Sequence, residues 1–387
     1  MNLTIILCAR DAASTIERAI VSVLPEVDCR LLLVDDGCRD ATVAIARQAA
    51  GDRLRVVAVP APGGIPRARQ MGLEVCETEY AAWLDADDAW VPGRAARILA
   101  ALGGGADVFC ESIDLVDGAS GRSLRRLDVP SFVRRERNPA RLFERNHLPG
   151  DTQVGFRVAT LRAAGGYDPE VYGVESFDLL LRVIARGAVF AYGDDVGYRM
   201  YAYSGSVSRH LARQRASLAA ALKKHEYARV RAWCRAAGEA DRVAAWVLVS
   251  MALFREEPGA ALRFLEEASP AAADPREILE PDGPWPFREG WRRAFQRGTC
   301  LALLGGRDEE AIVELRAARS LEVTAEGDNN LGVVFARAGR AEEARGCWEQ
   351  ALQRFPGYLD ARMNLEDPGA GRITTHPLRR QASRSEY

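Results

Sequence analysis

Between residue 3 and about residue 110, short β-branched runs alternate with stretches of helical pattern; beyond about residue 210 the β signals stop. The runs are Leu3 to Cys8, Arg30 to Val34, Arg55 to Val59 and Tyr80 to Leu84. Helices are expected from about Ser14, from about Asp40, after Pro66 and after Pro92. Alternation of this kind predicts a mostly parallel α/β sheet with helices on both faces, and such sheets place ligands at the carboxyl ends of their strands. Past residue 210, Ala, Arg, Leu and Glu recur with helical spacing, which predicts a separate all-α region. The expected division is an α/β domain over 1–215, a helical connecting region with a faint degenerate repeat over 216–290, helical repeats over 291–367 and a disordered tail over 368–387.

The repeat can be counted. Gly306-Arg307-Asp308-Glu309-Glu310-Ala311 recurs 33 residues later as Gly339-Arg340-Ala341-Glu342-Glu343-Ala344, and Ala318 recurs as Ala351. Asn330-Leu331 recurs 34 residues on as Asn364-Leu365. Small residues at fixed positions let the helices of a hairpin approach closely, and a period near 34 resembles that of tetratricopeptide repeats. Pro356 and Asn330-Leu331-Gly332 also resemble that repeat's consensus. Ala261 and Ala268, seven apart like Ala311 and Ala318, mark the fainter upstream copy. The five prolines from Ser269 to Pro286 predict an irregular connection between them. The tail from Pro368 carries four Arg, one Glu and almost no apolar pattern.

Composition removes several functions. The 387 residues hold 52 basic and 54 acidic side chains, a net charge of -2, so no polycationic surface draws in nucleic acid. Fifty of the basic residues are Arg; the two Lys are Lys223 and Lys224, which leaves no Gly-Lys-Ser/Thr phosphate loop and disfavours Schiff-base chemistry. Eight Cys occur without a Cys-x-x-Cys pair, so a zinc site has no sequence support, and reduced, mostly buried thiols are expected. Val243 to Phe254, the longest nearly apolar run, is too short to span a bilayer, and Met1 to Leu7 has no charged leader, so a cytoplasmic protein without a transmembrane segment is expected.

Two acidic clusters follow predicted strands: Asp35-Asp36, and Asp85-Ala86-Asp87-Asp88. Oxygen-only carboxylate sites suit Mg²⁺ or Mn²⁺, which bridge phosphate oxygens and neutralise a diphosphate leaving group. Asp40 and Asp88 could instead cap the following helices, but capping uses one carboxylate per helix and the second cluster supplies three within four residues.

Four segments then resemble the inverting nucleotide-sugar glycosyltransferases of family 2, which have the GT-A fold. Val34-Asp35-Asp36-Gly37-Cys38-Arg39-Asp40-Ala41-Thr42 is similar to the family's V-D-D-G-S-x-D-x-T, and Gly64 to Gly72 to its G-x-x-x-A-R-N-x-G. Trp83-Leu84-Asp85-Ala86-Asp87-Asp88 resembles F-L-D-A-D-D, which contains the metal-binding D-x-D. Gly165-Gly166-Tyr167-Asp168, followed by Glu175 and Asp178 to Arg182, resembles the acceptor-side G-G-Y-D and E-D-x-D-L-x-x-R. The resemblance covers roughly residues 1 to 210. It implies a GT-A, Rossmann-like α/β catalytic domain ahead of the all-α helical-repeat domain.

Residue by residue, the resemblance implies that Asp35 and Asp36 hold the donor's base and ribose, and Arg69 the donor nucleotide or its phosphates. Asp85 and Asp87 would hold the sugar nucleotide and a Mg²⁺ or Mn²⁺ ion, while Arg67 reads as an exposed helix charge. Tyr198-Arg199 and Ser206-Val207-Ser208 resemble a late Y-R-x-H and S-x-S segment, which makes Arg199 a candidate for steadying the diphosphate, although Tyr201 stands near the place of the expected His. Two further departures stand out. The first strand runs into Ala9-Arg10-Asp11 where the family has Tyr-Asn, leaving Asp11 as the donor-side residue and the nucleotide open. Glu175-Ser176 replaces Glu-Asp, and that Asp commonly serves as the base, so Glu175 is the favoured catalytic candidate and Asp178 the other, with a helix brace as its alternative role.

The leading expectation is therefore a hexosyltransferase that moves a sugar, from a UDP-sugar for preference, with inversion. Its acceptor would be a peptide, protein or glycan. Stacked helical hairpins suit a peptide acceptor, as in the similar two-part S-glycosyltransferases that modify bacterial peptides; the alternative is that the repeats dimerise or rigidify the enzyme. A second class keeps the fold without turnover, as a scaffold whose transferase domain is impaired at Ser176. A dehydrogenase is set aside because no G-x-G-x-x-G turn follows the first strand.

Overall fold

In the computed structural model, the described residues are 2–26, 29–61, 63–137, 139–150, 152–203, 211–270, 273–280, 283 and 287–376. They form two compact units: residues 1–142 with 146–233, and residues 143–145 with 234–387. The first unit runs past the expected boundary at 215 to Trp233, taking in the helix Leu211–Lys223 and most of the helix after it.

In chain order the first unit contains β1 (Leu3–Ala9), α1 (Ile16–Val23), β2 (Cys29–Asp35), α2 (Thr42–Ala50), β3 (Leu54–Ala58) and α3 (Ile65–Val75). Next come β4 (Tyr80–Asp85), β5 (Ala89–Trp90), α4 (Arg94–Gly103), β6 (Val108–Asp117), β7 (Ser123–Leu127) and α5 (Ser131–Arg134). It continues with β8 (Gly155–Arg157), α6 (Val158–Ala163), α7 (Glu175–Ile184), β9 (Phe190–Ala202) and α8 (Leu211–Lys223). The sheet order is β3-β2-β1-β4-β8-β6-β9-β5, with β7 on β6.

The expected parallel sheet is present from β3 to β4. Beyond β4 the sheet is mixed: β8 runs antiparallel to both β4 and β6, while β6 and β9 are parallel. Strands β2 and β4 flank β1 on opposite sides, so the strand order reverses there, and a crevice is expected at the carboxyl ends of those strands. Strand β1 is buried along its length apart from the half-exposed Cys8, as a strand covered on both faces must be. Helix α1 turns Ile16, Ala19, Ile20 and Val23 inward, a single stripe at helical spacing. Helix α3 begins after Gly64, whose φ of 78° favours glycine, and its inward stripe includes a charge, Arg69. Gly72 in the same helix lets it sit on the sheet: a Cβ there would lie 2.8 Å from Ile6 and 3.2 Å from the Trp83 ring.

Helix α9 (Tyr227–Ala236) leads into the second unit, followed by α10 (Asp241–Phe254), α11 (Pro258–Ala268), α12 (Glu289–Leu304) and α13 (Asp308–Leu321). Helices α14 (Ala325–Arg337), α15 (Ala341–Arg354) and α16 (Leu359–Glu366) complete it. The starts of α13 and α15 are 33 residues apart, 308 to 341, and those of α14 and α16 are 34 apart, 325 to 359, so each counted copy is one helical hairpin. The repeated alanines are buried at the hairpin contacts: Ala311, Ala318, Ala344 and Ala351, with Ala261 and Ala268 of the faint copy. No helix among the described residues is long and apolar enough to cross a membrane.

Only the first part of the expected disordered tail is described, and it is packed. Residues 368–376 pack against the repeats, with Ile373, Thr374 and His376 buried; residues 377–387 lie outside the described ones. All eight cysteines are free thiols, six of them buried and Cys8 and Cys38 half-buried.

Candidate active site

At the carboxyl ends of β1, β2 and β4, register puts Asp35 beside Ala9 and Asp85 beside Cys8, so both acidic clusters emerge at the same end of the sheet. The first cluster is spent on the main chain. Asp35 Oδ1 accepts from the N–H groups of Gly37 (3.0 Å) and Cys38 (2.7 Å), closing the turn after β2. Asp36 is buried and accepts from Gly63 N (2.9 Å) and Gly64 N (3.1 Å), tying that turn to the start of α3; Arg10 stands 3.8 Å away. Asp11 adopts φ 49° and pairs with Arg39, whose amide and guanidinium hold its pKa below the usual carboxylate value. Asp40 accepts from Ala13 N and Thr42 N rather than from the interior of α2.

The second cluster is organised by Arg69. Arg69 is 7% exposed, and its guanidinium donates to Glu175 Oε1 (2.5 Å), Ser176 Oγ (2.9 Å) and Asp85 Oδ1 (3.2 Å). Burial works against its charge, yet Asp85 and Glu175 carry its pKa above the ordinary arginine value. One side chain on α3 thus joins the end of β4 to the first turn of α7, three segments distant in sequence. Asp85 Oδ2 accepts from Gln153 Nε2 (2.8 Å), and its backbone N–H donates to Tyr198 Oη (3.0 Å). Thr152 Oγ1 donates to Ser176 Oγ (3.0 Å). Burial lifts the neighbouring Cys8 thiol to about 12, with Arg69 opposing and Asp85 adding to the rise.

Asp87 and Asp88 remain. Asp88 is buried, accepts from Tyr201 N (2.8 Å) and caps no helix; desolvation, then Asp85 and Asp87, raise its pKa well above the usual value. Asp87 faces solvent but is ringed by protein, and this desolvation followed by the charge of Asp85 raises its pKa, with Arg18 opposing. Arg18 donates to the carbonyl of Asp87 and stacks on the Tyr201 ring 3.8 Å from its centroid. Among the described residues no group of three or more His, Cys, Asp or Glu side chains is arranged to hold a metal ion by itself. The reason is visible: Asp85 is engaged by Arg69 and Gln153, and Asp88 has turned to β9.

On α7 the two catalytic candidates separate. Glu175 is 4% exposed; Oε1 is bound by Arg69 and Oε2 is buried with no hydrogen-bond partner among the described residues. Asp178 is fully buried, held by Arg182 (2.7 Å) and Lys224 (2.7 Å). A carboxylate paired with two cations and sealed from solvent suits the alternative role, a brace on α7. Arg199 is exposed on β9 opposite Ala89, at the far end of the acidic turn, and makes no ion pair among the described residues; Ser206 to Ser208 lie outside them. Arg67 is exposed, as expected. A cleft of about 450 Å³ lined by Arg30, Arg55 and Glu77 opens at the other ends of the strands, away from both clusters.

Gln153, Thr152 and Arg18 were not singled out in the sequence, and Tyr198 entered only as the neighbour of Arg199. None of the first three lies in a patterned segment, except that Arg18 is a polar position on an amphipathic helix. Gln70 has a visible structural role, since it receives Tyr167 N–H at 2.8 Å beside Gly166, where a Cβ would lie 2.3 Å from its oxygen.

The carboxylates gather where the strand order reverses, the usual ligand position of open α/β sheets. Residues 4–164 match Glycosyl transferase family 2. The chain is 30% identical over 223 residues to the succinoglycan biosynthesis protein ExoU of Rhizobium meliloti, covering 54% of this chain and 64% of that protein. Its match to ExoO of the same organism is also 30%, over 225 residues, covering 54% of this chain and 63% of ExoO. The chain therefore spans just under two thirds of the length of either relative. The crystal structure of S. aureus TarS residues 1–349 in complex with UDP-GlcNAc is similar at a TM-score of 0.49 and 16% identity, covering 91% of this chain and 92% of that one. The mannosyltransferase PcManGT from Pyrobaculum calidifontis, in complex with GDP-Man and Mn²⁺, gives 0.45 at 15% identity, covering 83% and 86%.

Proposed function

We propose that this chain is a glycosyltransferase that moves a sugar from a nucleotide-sugar donor, a UDP-sugar for preference, to an acceptor with inversion at the anomeric carbon. The observation that carries the reading is the Arg69 network, which draws Asp85, Glu175 and Ser176 of separate motifs into one crevice. Asp35, Asp36 and Asp11 shape the donor's nucleoside side of that crevice. Asp85 is one-third exposed and faces the sugar, and Arg199 serves the diphosphate side.

The residues fit a divalent cation. Asp87 makes no salt bridge among the described residues and suffers the repulsion of Asp85, a cost that a bound cation removes. Asp87, with Asp85, would hold Mg²⁺ or Mn²⁺, and the remaining ligands would be donor phosphate oxygens and water. Such an ion supplies charge neutralisation at the leaving diphosphate. Arg69 holds Glu175 in place and Glu175 Oε2 is the atom left to receive the acceptor proton. The acceptor is a peptide or protein bound by the helical repeats.

Glu175→Gln tests the assignment: donor binding, read by thermal shift with UDP-sugars and Mn²⁺, should persist while turnover falls by about 100-fold or more. Near-normal turnover removes Glu175 as the base. A second reading, an impaired transferase that binds UDP without turnover, is favoured by one feature: Arg69 pins one oxygen of the carboxylate beside Ser176. Release of free UDP by the unsubstituted chain excludes it.

A further inference from the structure

The motif Asn330-Leu331, repeated as Asn364-Leu365, does something a helix-packing position need not do. Asn364 donates Nδ2–H to Arg372 O (2.9 Å) and accepts from Arg372 N at Oδ1 (2.7 Å). Asn330, one repeat earlier, donates to Thr374 O (2.8 Å) and accepts from Thr374 N (2.8 Å). Asn329 adds a second donor to Arg372 O at 2.9 Å. Two equivalent amides thus hold both main-chain groups of residues two apart, as a neighbouring β-strand would. Each repeat reads two residues of extended chain.

The same 34-residue step, counted back from Asn330, reaches Gln296 on α12. Gln296 is 4% exposed and its Oε1 has no hydrogen-bond partner among the described residues. It lies one turn before Thr299, whose hydroxyl receives Asn330 Nδ2 at 3.0 Å. A buried amide oxygen left unpaired is costly, and its position continues the series 364, 330, 296. The side-chain contacts define one position of the guest: Thr374 Oγ1 donates to Asp360 Oδ2 (3.0 Å) and touches the Tyr358 hydroxyl, while Ile373 packs into the helical core.

We infer that Gln296, Asn330 and Asn364 form a ladder that binds an extended peptide by its main chain at two residues per repeat, and that residues 372–376 occupy it as a displaceable internal stand-in. The guest is an extended segment with Thr or Ser at the position between Tyr358 and Asp360. This deepens the reading that the repeats bind a peptide acceptor and rests on it for biological meaning, but its readout is peptide binding, which needs no sugar transfer.

The test uses the full chain carrying Thr374→Pro, which removes the N–H given to Asn330 and the hydroxyl given to Asp360. A fluorescein-labelled peptide of the sequence Gly-Arg-Ile-Thr-Thr-His should bind this variant at least about tenfold more tightly than it binds the unsubstituted chain, and adding Asn330→Ala should remove the gain. Failure to bind a variant that keeps its helical circular dichroism and cooperative melt overturns the inference, as does binding indifferent to Asn330. Should the variant not fold, amide exchange in the unsubstituted chain decides. The Arg372 and Thr374 amides should exchange at least about 100-fold faster than the Leu331 amide, and equal rates would make the segment an integral part of the fold. A chain that releases UDP from its donor yet fails these peptide tests refutes the ladder alone and leaves the transferase reading standing.

Discussion

The two acidic turns beside β1 look alike in sequence and differ in physics. After β2, the Asp35 and Asp36 oxygens meet main-chain N–H groups within 3.1 Å. After β4, Asp85 shares the Arg69 guanidinium with Glu175, and the pKa values of Asp87 and Asp88 rise, chiefly from desolvation and then from their acidic neighbours. The first turn is complete as folded. The second is under like-charge strain that only a ligand or a proton relieves, which distinguishes a scaffold from a site more sharply than the shared Asp-Asp signature does.

Exchanging charge for shape breaks the comparison most severely at the second turn. Asp87→Asn should lower turnover by about 1,000-fold while the melting temperature holds or rises, because the repulsion goes with the charge. Excess chelator should reproduce that loss in the unsubstituted chain, with Mn²⁺ restoring it; UDP release measures both, and full activity in chelator would sink the metal assignment. On α7, Asp178→Asn should behave oppositely, costing about 2 kcal/mol of stability by weakening its contacts with Arg182 and Lys224, which keep the Ala164 and Gly166 carbonyls and Asp168. Denaturant unfolding would read that loss, and the folded fraction should turn over normally.

Asp36→Ala should cost about 2 kcal/mol by leaving the Gly63 and Gly64 N–H groups without their acceptor. A donor thermal shift equal to that of the unsubstituted chain, once lower stability is allowed for, would restrict Asp36 to its tether. The smallest effect is in pH. Asp88 has a raised folded pKa, so its ionisation penalises the fold only above the unfolded value of 3.8, and the penalty fades as the pH falls toward that value. In chelated protein, Asp88→Asn should therefore melt higher than the unsubstituted chain at neutral pH, with the difference shrinking toward about pH 4. Asp11 has the opposite sign: its lowered pKa gives stability that is present above 3.8 and lost as the pH falls through the folded value.

Much of this arrangement is legible in the sequence because it is periodic or local. Strands β1 to β4, the stripe on α1 and the hairpin spacing all follow from patterns of about two, 3.6 or 34 residues. The convergence on Arg69 is half legible: its helix is, but its partners Glu175 and Ser176 lie more than 100 positions away. Gln153 and Thr152 are illegible, since a side chain delivered by an irregular segment has no period. The start of the tail, residues 368–376, departs from its composition for a related reason. Its Arg-rich composition predicts disorder, whereas its attachment runs through the main chain of Arg372 and Thr374, which composition does not register.

Burial also decides how this chain meets sulfur chemistry. Six of its eight thiols have raised pKa values, with Cys38 and Cys347 near 11 and Cys8 and Cys300 near 12, desolvation being the leading cause in each. Near neutral pH those six sulfurs carry almost no thiolate, so maleimides and iodoacetamides react with them slowly. A cysteine introduced at an exposed position such as Arg199 would be alkylated first, giving a single optical or spin probe at the mouth of the crevice without deleting any native thiol.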